Sequence, residues 1–316
     1  MRVKGDHLNK IETALSSGGA AKSSVVASWS RSARLHGLDP TTRRKPERLD
    51  QSALAEARSR AGRMIQLANP VLDELFRAVG GMGACVLLAD EAGVPVDRRG
   101  TRADDVVFDD WGLWLGAIWS EEMEGTNGIG TCIAEGRPVM IQRDQHFLAR
   151  NTGLSCIASP IHDSSGRVAG VLDVSSARAD LNDGFSRLIA HSVSDAARRI
   201  EVELFRAAHP GERIVLLPQS ANGSGAVVAV DRDDIVVGLS HGARLALGLN
   251  AGQKFAPKPL ADILGHSEPD GFEDAERAVL LRAMARADGN VSAAARALGV
   301  SRATLHRKLG PRAEES

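Results

Sequence analysis

Several residue types that would point to particular protein classes are scarce or missing in this chain of 316 residues. It contains no tyrosine and only three cysteines, Cys85, Cys132 and Cys156. Three thiols so widely spaced form neither the disulfide framework of a small secreted domain nor a CxxC metal knuckle. The chain also has no apolar run of about eighteen residues, and its N-terminus lacks the apolar core of a signal peptide. We therefore expect a cytoplasmic protein that does not cross a membrane.

Residue combinations typical of catalytic and metal sites are missing as well. His241 and His266 have no partners at metal-ligand spacing, so we predict no metal and no cofactor. No nucleophile, base and orienting group occur as a set, and we expect no enzymatic activity. The Walker A pattern GxxxxGK[ST] is absent, because Gly18–Ser23 (GGAAKS) has no glycine before its lysine.

The overall charge is balanced, but its distribution is not. The formal net charge is -1, with 43% hydrophobic and 25% charged residues, as in ordinary globular proteins. Residues 291–312 nevertheless contain no acidic residue and five basic ones: Arg296, Arg302, Arg307, Lys308 and Arg312. This local excess favours a polyanionic partner for the C-terminal end, although a solvated basic helix would give the same pattern.

The order of the predicted elements indicates an α+β chain of four parts. Residues 1–59 form a helical region, and residues 60–206 combine helices with short apolar strands of antiparallel type. Residues 213–265 hold two further strand candidates, whereas residues 270–312 are all-α. The predicted strands are Ala84–Asp90, Pro138–Gln142, Ser155–Ile161, Val168–Val174, Ala226–Val230 and Ile235–Gly238.

The C-terminal part has the pattern of a helix-turn-helix. Its first helix carries one apolar stripe: Val279, Leu280, Ala283, Met284 and Ala287. Ser292 is predicted to cap a short second helix over 293–298. Gly299 then permits a tight turn, Val300 fills the corner and Ser301 caps the third helix. Leu305 and Leu309, four residues apart, place the apolar side of that helix inward.

The outward face of the third helix has the chemistry of a DNA reader. Arg302 lies in its first turn, the part of a recognition helix that meets base edges, and arginine matches guanine by two hydrogen bonds. The segment Asn290–Leu309 (NVSAAARALGVSRATLHRKL) strongly resembles the Fis-type helix-turn-helix family. The resemblance implies a homodimer on a partly palindromic DNA site, contacted by Ser301, Arg302, Thr304, Arg307 and Lys308. On residue types alone, a helical dimerisation tail with a solvated basic face is the alternative.

The middle of the chain contains a glycine-rich segment beside a tryptophan cluster. Trp119–Cys132 (WSEEMEGTNGIGTC) has three glycines among small polar residues, which indicates close approach by a ligand or by an adjacent helix. Trp111, Trp114 and Trp119 lie within nine residues. Clustered indoles line a small-molecule pocket or fill a core, and the residue types favour the core.

The same segment resembles a known sensory domain. With Gln145–Phe147, Ser155–Ile161 and Gly170–Ser175, it looks like the GAF-type domain of acetoin-catabolism-type regulators. Ser28–Arg31 and His36–Pro40 match that family too, and residues 227–249 are similar to its PAS-like segment. The resemblance implies a small organic effector, such as a short alcohol, ketone or diol, within residues 111–156. The ligand-binding candidates are Trp114, Trp119, Thr126, Asn127, His146, Cys156 and Asp173.

Structural roles compete with these ligand assignments. His146 could hydrogen-bond its own loop, and Asp173 could anchor a turn, because a carboxyl in an apolar strand must be hydrogen-bonded. Cys132 and Cys156 lie in apolar contexts that favour inert thiols over redox sensors. Leu154 stands where the family often has an aromatic residue, so the pocket wall differs.

One departure from the family concerns its motor. Its members usually carry a AAA+ ATPase, which remodels sigma-54 polymerase, between the sensor and the DNA-binding module. Here the stretch from Gly265 to Glu273 is too short to hold one. We predict a DNA-binding regulator without ATPase activity, which acts by occlusion, by contacting RNA polymerase or by competing with a full-length homologous regulator. The alternatives are a non-DNA-binding partner protein that dimerises with a motor-bearing homologue, and a small enzyme built on the Gly125–Gly130 loop.

Overall fold

A computed structural model of the chain describes residues 2–17, 23–178, 182–218, 225–265 and 271–309. Gly18–Lys22 of the segment compared with Walker A, His266 and Arg312 lie outside these described residues. The chain divides into two compact units, Met1–Pro257 and Lys258–Ser316. No described helix combines the length and apolar character needed to cross a bilayer.

The first unit begins with four helices. They are α1 (Arg2–Ser16), α2 (Ser24–Ser30) with a π-helical turn at Arg31–Leu35, α3 (Gln51–Arg60) and α4 (Gly62–Val79). Of these, α2 and α3 are capped by short polar side chains. The Asp50 carboxylate accepts a hydrogen bond from the Ala53 amide at 2.8 Å, which satisfies an orphan donor at the start of α3. Ile11 of α1 and Trp29 of α2 share a buried apolar cluster with Phe147 and Leu148.

A five-stranded antiparallel sheet forms the centre of the first unit. Its strands are β1 (Ala84–Asp90), β2 (Pro95–Arg99), β3 (Val139–Gln142), β4 (Ser155–His162) and β5 (Val168–Ser176), in the order β2-β1-β5-β4-β3. Four helices complete this part: α5 (Asp105–Trp111), α6 (Glu121–Glu124), α7 (Gly128–Glu135) and α8 (Asp183–Ala208). The predicted α+β class is confirmed.

Both faces of the sheet are buried, which explains the near-continuous apolar strands. Val86 and Leu88 of β1 pack with α4 and α8, whereas Cys85 and Leu87 face a second core that includes Trp119. Side chains alternate between the two faces because the period of a strand is two residues. The second core, between the sheet and α7, contains two of the predicted ligand residues, Trp119 and Cys156.

A small sheet follows α8 within the first unit. It contains β6 (Arg213–Leu216), β7 (Val227–Val230) and β8 (Ile235–Leu239), paired antiparallel in that order, and α9 (His241–Ala246) comes next. The strand β6 was not predicted. Phe205 near the end of α8 is buried with Val227 and Ala229 of β7, so this segment shares a core with the long helix.

The second unit is mainly helical. It contains a short strand β9 (Lys258–Pro259), α10 (Leu260–Leu264), α11 (Phe272–Arg286), α12 (Val291–Ala297) and α13 (Arg302–Leu309). Leu280 and Ala283 of α11 pack against Ala294 of α12 and against Leu305 and Leu309 of α13. The predicted inward position of both leucines on α13 is confirmed.

Three local predictions for this unit are wrong. Val279 is 45% exposed and lies outside the core stripe, and Val300 is 37% exposed and does not fill the corner. Asn290, not Ser292, caps the second helix, because its side-chain oxygen accepts from the Ala293 amide at 3.1 Å. Ser292 lies inside the first turn. The predicted turn glycine, Gly299, has a φ of 64°, the left-handed conformation that favours glycine.

Candidate functional sites

Three of the predicted ligand residues meet in one buried polar cluster. Asp173 of β5 is 1% exposed, and its Oδ2 accepts a hydrogen bond from Ser175 Oγ at 2.6 Å. Ser175 Oγ also lies 3.1 Å from Cys156 Sγ, and His146 Nε2 lies 3.3 Å from the same sulfur. We call these four side chains the Asp173 cluster. It connects adjacent strands with the loop that follows β3.

The protonation of the cluster follows from its burial. Loss of hydration raises the pKa of Asp173 to about 7 and lowers the pKa of His146 to about 4. The neutral His146 ring donates from Nδ1 to the carbonyl oxygen of Arg143 at 3.0 Å, which leaves Nε2 as an acceptor for the Cys156 thiol. Within the described chain, Asp173 Oδ1 has no hydrogen-bond partner.

The three thiols lie in the same core as the cluster and are not activated. Burial and the neighbouring Asp173 carboxyl raise the pKa of Cys85, Cys132 and Cys156. A reactive thiolate needs an electropositive, partly exposed setting, and these sulfurs have neither. The arrangement therefore favours inert thiols.

The glycine-rich segment is approached closely by the chain itself. It contains α6 and the start of α7, two helices that were not predicted. A Cβ on Gly128 would lie 2.6 Å from both Asp173 Oδ1 and Cys156 Cβ. A Cβ on Gly130 would lie 2.4 Å from the Glu121 amide nitrogen. The glycines let α7 pack closely against the sheet and against α6. Of the two explanations given for this motif, the structure therefore favours close approach by an adjacent helix.

Thr126 and Asn127, two further ligand candidates, make structural hydrogen bonds. Thr126 Oγ1 lies 2.6 Å from Ser28 Oγ of α2. The Asn127 side-chain oxygen caps α7 by accepting from the Gly130 amide at 2.8 Å, while its Nδ2 donates to the carbonyls of Trp119 and Gly125 at 3.1 and 2.8 Å. Both side chains are completely buried.

The N-terminal motif and the glycine-rich motif are joined by buried polar contacts. Arg31 binds the Glu121 carboxylate through Nε at 2.6 Å and Nη2 at 3.1 Å, and it binds Glu135 through Nη2 at 2.9 Å. Ser28 Oγ donates to Glu121 as well. Because Glu121 is buried, its charge needs these donors. Sequence reasoning missed this function of Arg31 and Glu121.

The two tryptophan candidates occupy different surroundings. Trp119 is buried in the second core, where its Nε1 donates to the Gly112 carbonyl at 2.8 Å. Trp114 is half-buried and lies beneath the guanidinium group of Arg98, whose Cζ is 4.2 Å from the centroid of the indole ring. Four cavities formed by the described residues lie elsewhere, and none of the seven ligand candidates lines them. No group of three or more metal-ligating side chains occurs in the described chain.

The last helix of the second unit, α13, carries four of the five DNA candidates, and the fifth, Ser301, caps it. Ser301 Oγ accepts from the Thr304 amide at 3.1 Å and lies 2.8 Å from Thr304 Oγ1. The predicted cap by Ser301 is thus confirmed. Lys308 is paired with Glu276 of α11. Arg302 and Arg307 are exposed and make no hydrogen bond or ion pair with any described residue.

Two family comparisons match these two parts of the chain. Residues 6–201 match the family described as MimR, N-terminal domain, and residues 271–310 match the family described as bacterial regulatory protein, Fis family. The second match covers α11, α12 and α13. It confirms the Fis-type helix-turn-helix.

Curated relatives match about 70% of the chain. The acetoin catabolism regulatory protein of Cupriavidus necator is 33% identical over 227 residues, which are 71% of this chain and 34% of that protein. The propane 2-monooxygenase operon transcriptional activator MimR of Mycolicibacterium smegmatis is 31% identical over 69% of this chain and 36% of its own length. The chain spans about a third of the length of these relatives.

A solved structure supports the fold of the first unit. A chain in the crystal structure of the Escherichia coli DhaR(N)–DhaL complex aligns with a TM-score of 0.53 and 18% identity. The alignment covers 72% of this chain and 77% of that one. At this identity the likeness concerns the fold alone.

Proposed function

Because the chain belongs to the MimR N-terminal domain family and ends in a Fis-type helix-turn-helix, we propose that it binds specific DNA sequences in response to a small organic effector. The regulator family and the DNA-binding motif are the premises of this proposal. The observation that carries it is the pair of exposed guanidinium groups on α13, Arg302 and Arg307, which have no hydrogen-bond or ion-pair partner among the described residues. Such groups bind guanine edges and phosphates by charge-assisted hydrogen bonds.

The DNA proposal is tested by selecting bound duplexes from a random pool at near-physiological salt. We expect enrichment of a partly palindromic site, because a dimer presents two copies of α13. Arg302→Ala should weaken binding to that site by about 1–3 kcal/mol and relax the base preference at one position. Arg102→Ala is the matched control, since Arg102 is an exposed arginine in the first unit.

A failed selection would favour the second candidate function. Weak binding that disappears with salt and enriches no sequence is the behaviour of a non-specific polycation. That outcome, with formation of mixed dimers with a motor-bearing homologue, would support a partner protein that does not read DNA. The enzyme alternative is weakened by the inert thiols and by the packing of the Gly125–Gly130 loop against the protein's own chain.

For the effector, we propose the region around the Asp173 cluster. Its support is the buried Asp173 Oδ1, which lacks a partner in the described chain and lies beneath Gly128 of α7. A hydroxyl group of an alcohol or diol could donate to this oxygen if α7 moved away from the sheet. Binding would then change the packing of the sensory core and the population of the DNA-binding arrangement.

Titration calorimetry with short alcohols, ketones and diols tests this assignment. We expect one of these classes to bind with a stoichiometry of about one per chain and to alter DNA affinity. Asp173→Ala should abolish that binding, and the exposed-site variant Glu122→Gln should retain it. Unchanged binding by Asp173→Ala would remove the cluster as the effector site.

We further propose regulation without ATP hydrolysis. Between the sensory region and the helix-turn-helix, the described residues form only the small sheet, α9, β9 and α10. None of these elements carries a glycine-rich phosphate loop with a lysine. Regulation would then occur by occlusion, by polymerase contact or by competition with a full-length relative. Release of phosphate from ATP above background, in the presence of DNA and effector, would contradict this part.

A further inference from the structure

The first unit contains a cavity of about 500 Å³ that lies outside the Asp173 cluster. Three separate segments line it: α1, the stretch that follows α2, and the turn before β4. Their polar contributions are His7, Arg43 and Arg150, together with Thr41. None of these residues belongs to the glycine-rich motif or to the predicted ligand set.

The cationic groups of the cavity are only partly neutralised. Arg150 is largely buried and is paired with the buried carboxylate of Glu124. Arg43 is exposed and makes no hydrogen bond or ion pair with any described residue. Thr41 donates its hydroxyl to Asp39 at 2.7 Å, so its proton is already used within its own turn. Among the described residues, nothing neutralises the charge of the Arg43 guanidinium group or accepts hydrogen bonds from it.

Two residues that line the cavity, His7 and Arg150, carry buried polar atoms without partners in the described chain. His7 is 7% exposed, and its Nε2 lies 3.2 Å from the Phe147 carbonyl, but its Nδ1 has no partner in the described chain. Arg150 Nε is also buried and has no partner there. Native proteins seldom leave such atoms unsatisfied, and a polar group bound in the cavity would satisfy them.

The rest of the lining is apolar. Leu8, Pro40 and Ala149 supply aliphatic surface to the same cavity. A pocket with apolar walls and a few convergent polar groups suits a small organic molecule that has one polar end. Inorganic ions would leave this apolar surface uncovered.

We propose that this cavity binds a small organic carboxylate, whose charged end contacts Arg43 and Arg150 and whose hydrocarbon part packs against Leu8, Pro40 and Ala149. Guanidinium groups match a carboxylate by paired hydrogen bonds. The site is separate from the proposed effector site. It is linked to the sensory core because Arg150 also holds Glu124, three residues before the Asn127 cap of α7.

Titration calorimetry on the full chain, without DNA, tests the site. The probes are acetate, butyrate and benzoate. Butyramide is the uncharged control for butyrate, and inorganic phosphate is the control for an anion that has no hydrocarbon part. We expect butyrate and benzoate to bind more tightly than acetate, because they cover more of the apolar wall. Butyramide and phosphate should bind at least about tenfold more weakly than butyrate.

Two variants complete the experiment. Arg43→Gln should weaken butyrate binding by about tenfold or more, since it removes a charged donor pair. The fold should persist, because Arg43 is exposed and makes no hydrogen bond or ion pair with any described residue. Arg102→Gln is the control and should bind butyrate like the original chain. The proposal is overturned if no carboxylate binds at millimolar concentration, if butyramide or phosphate binds as well as butyrate, or if Arg43→Gln has no effect.

Discussion

The buried carboxyl of Asp173 should make the stability of the sensory region depend on pH. Burial raises the pKa of this group to about 7 in the folded chain, whereas an aspartate in an unfolded chain ionises near pH 3.9. Between these values the folded chain keeps a proton that the unfolded chain releases. The stability that the folded chain gains from this proton is therefore complete below about pH 3.9, and it is lost as the pH rises toward 7. About three pKa units correspond to about 4 kcal/mol.

The variant Asp173→Asn isolates this contribution. Asparagine has the shape of a protonated aspartate, and its oxygen can still accept from Ser175. Relative to the original chain, the variant should gain about 3 kcal/mol in the free energy of unfolding between pH 5 and pH 8. Protonation of His146 at low pH lowers the free energy of unfolding, because burial lowers its pKa in the folded chain. Both proteins carry this residue, so its effect largely cancels in the difference between their free energies of unfolding.

Urea unfolding followed by tryptophan fluorescence is the suitable assay. All four tryptophans lie between residues 29 and 119, so the signal reports on the first unit alone. Glu122→Gln changes an exposed carboxyl and should show no such gain. A difference between Asp173→Asn and the original chain that stays constant from pH 5 to pH 8 would refute the reasoning.

Further expectations concern packing, capping and protonation. Gly128→Ala should cost about 1–3 kcal/mol in urea unfolding, because its Cβ meets Asp173 and Cys156; Gly62→Ala, in open space on α4, should cost nothing, and equal costs would contradict the packing argument. Asn290→Ala should destabilise the second unit by about 1 kcal/mol in a thermal unfolding scan, because it loses the cap of α12. In the Asp173→Asn variant, which removes the neighbouring ionisation, the ring signals of His146 in NMR should not shift between pH 7.5 and 5.5, since burial lowers its pKa to about 4; a midpoint near 6.5 would contradict this burial effect.

The strands of the large sheet were predictable where both faces are buried. β1, β4 and β5 are nearly continuous apolar runs, and their positions are confirmed. The prediction missed β2, since Asp97, Arg98 and Arg99 make half of that edge strand polar. It also missed α7, because glycines at its start favour a loop by propensity alone. The Asn127 cap and contact with the sheet overcome that propensity.

The candidate sites were less predictable because their contacts are distant in sequence. Thr126 bonds Ser28 across 98 residues, and no local pattern predicts such a partner. The cavity beside Arg43 draws on three segments whose residues have no shared spacing. On α13, by contrast, helical periodicity alone separates the buried leucines from the exposed arginines. The two faces of α13 were predictable because they depend only on the local geometry of one helix.

The polar bridge from Arg31 to Glu121 and Glu135 determines how the sensory region can be dissected. A fragment that starts at residue 60 would contain both carboxylates without the guanidinium that binds them. It would also uncover the surface of Phe147 and Leu148 that Trp29 and Ile11 cover. Such a fragment should aggregate or unfold, whereas one that retains α1 and α2 should behave as a stable, monodisperse protein. The smallest useful sensor for crystallisation or ligand screening is therefore the whole first unit with its N-terminal helices attached.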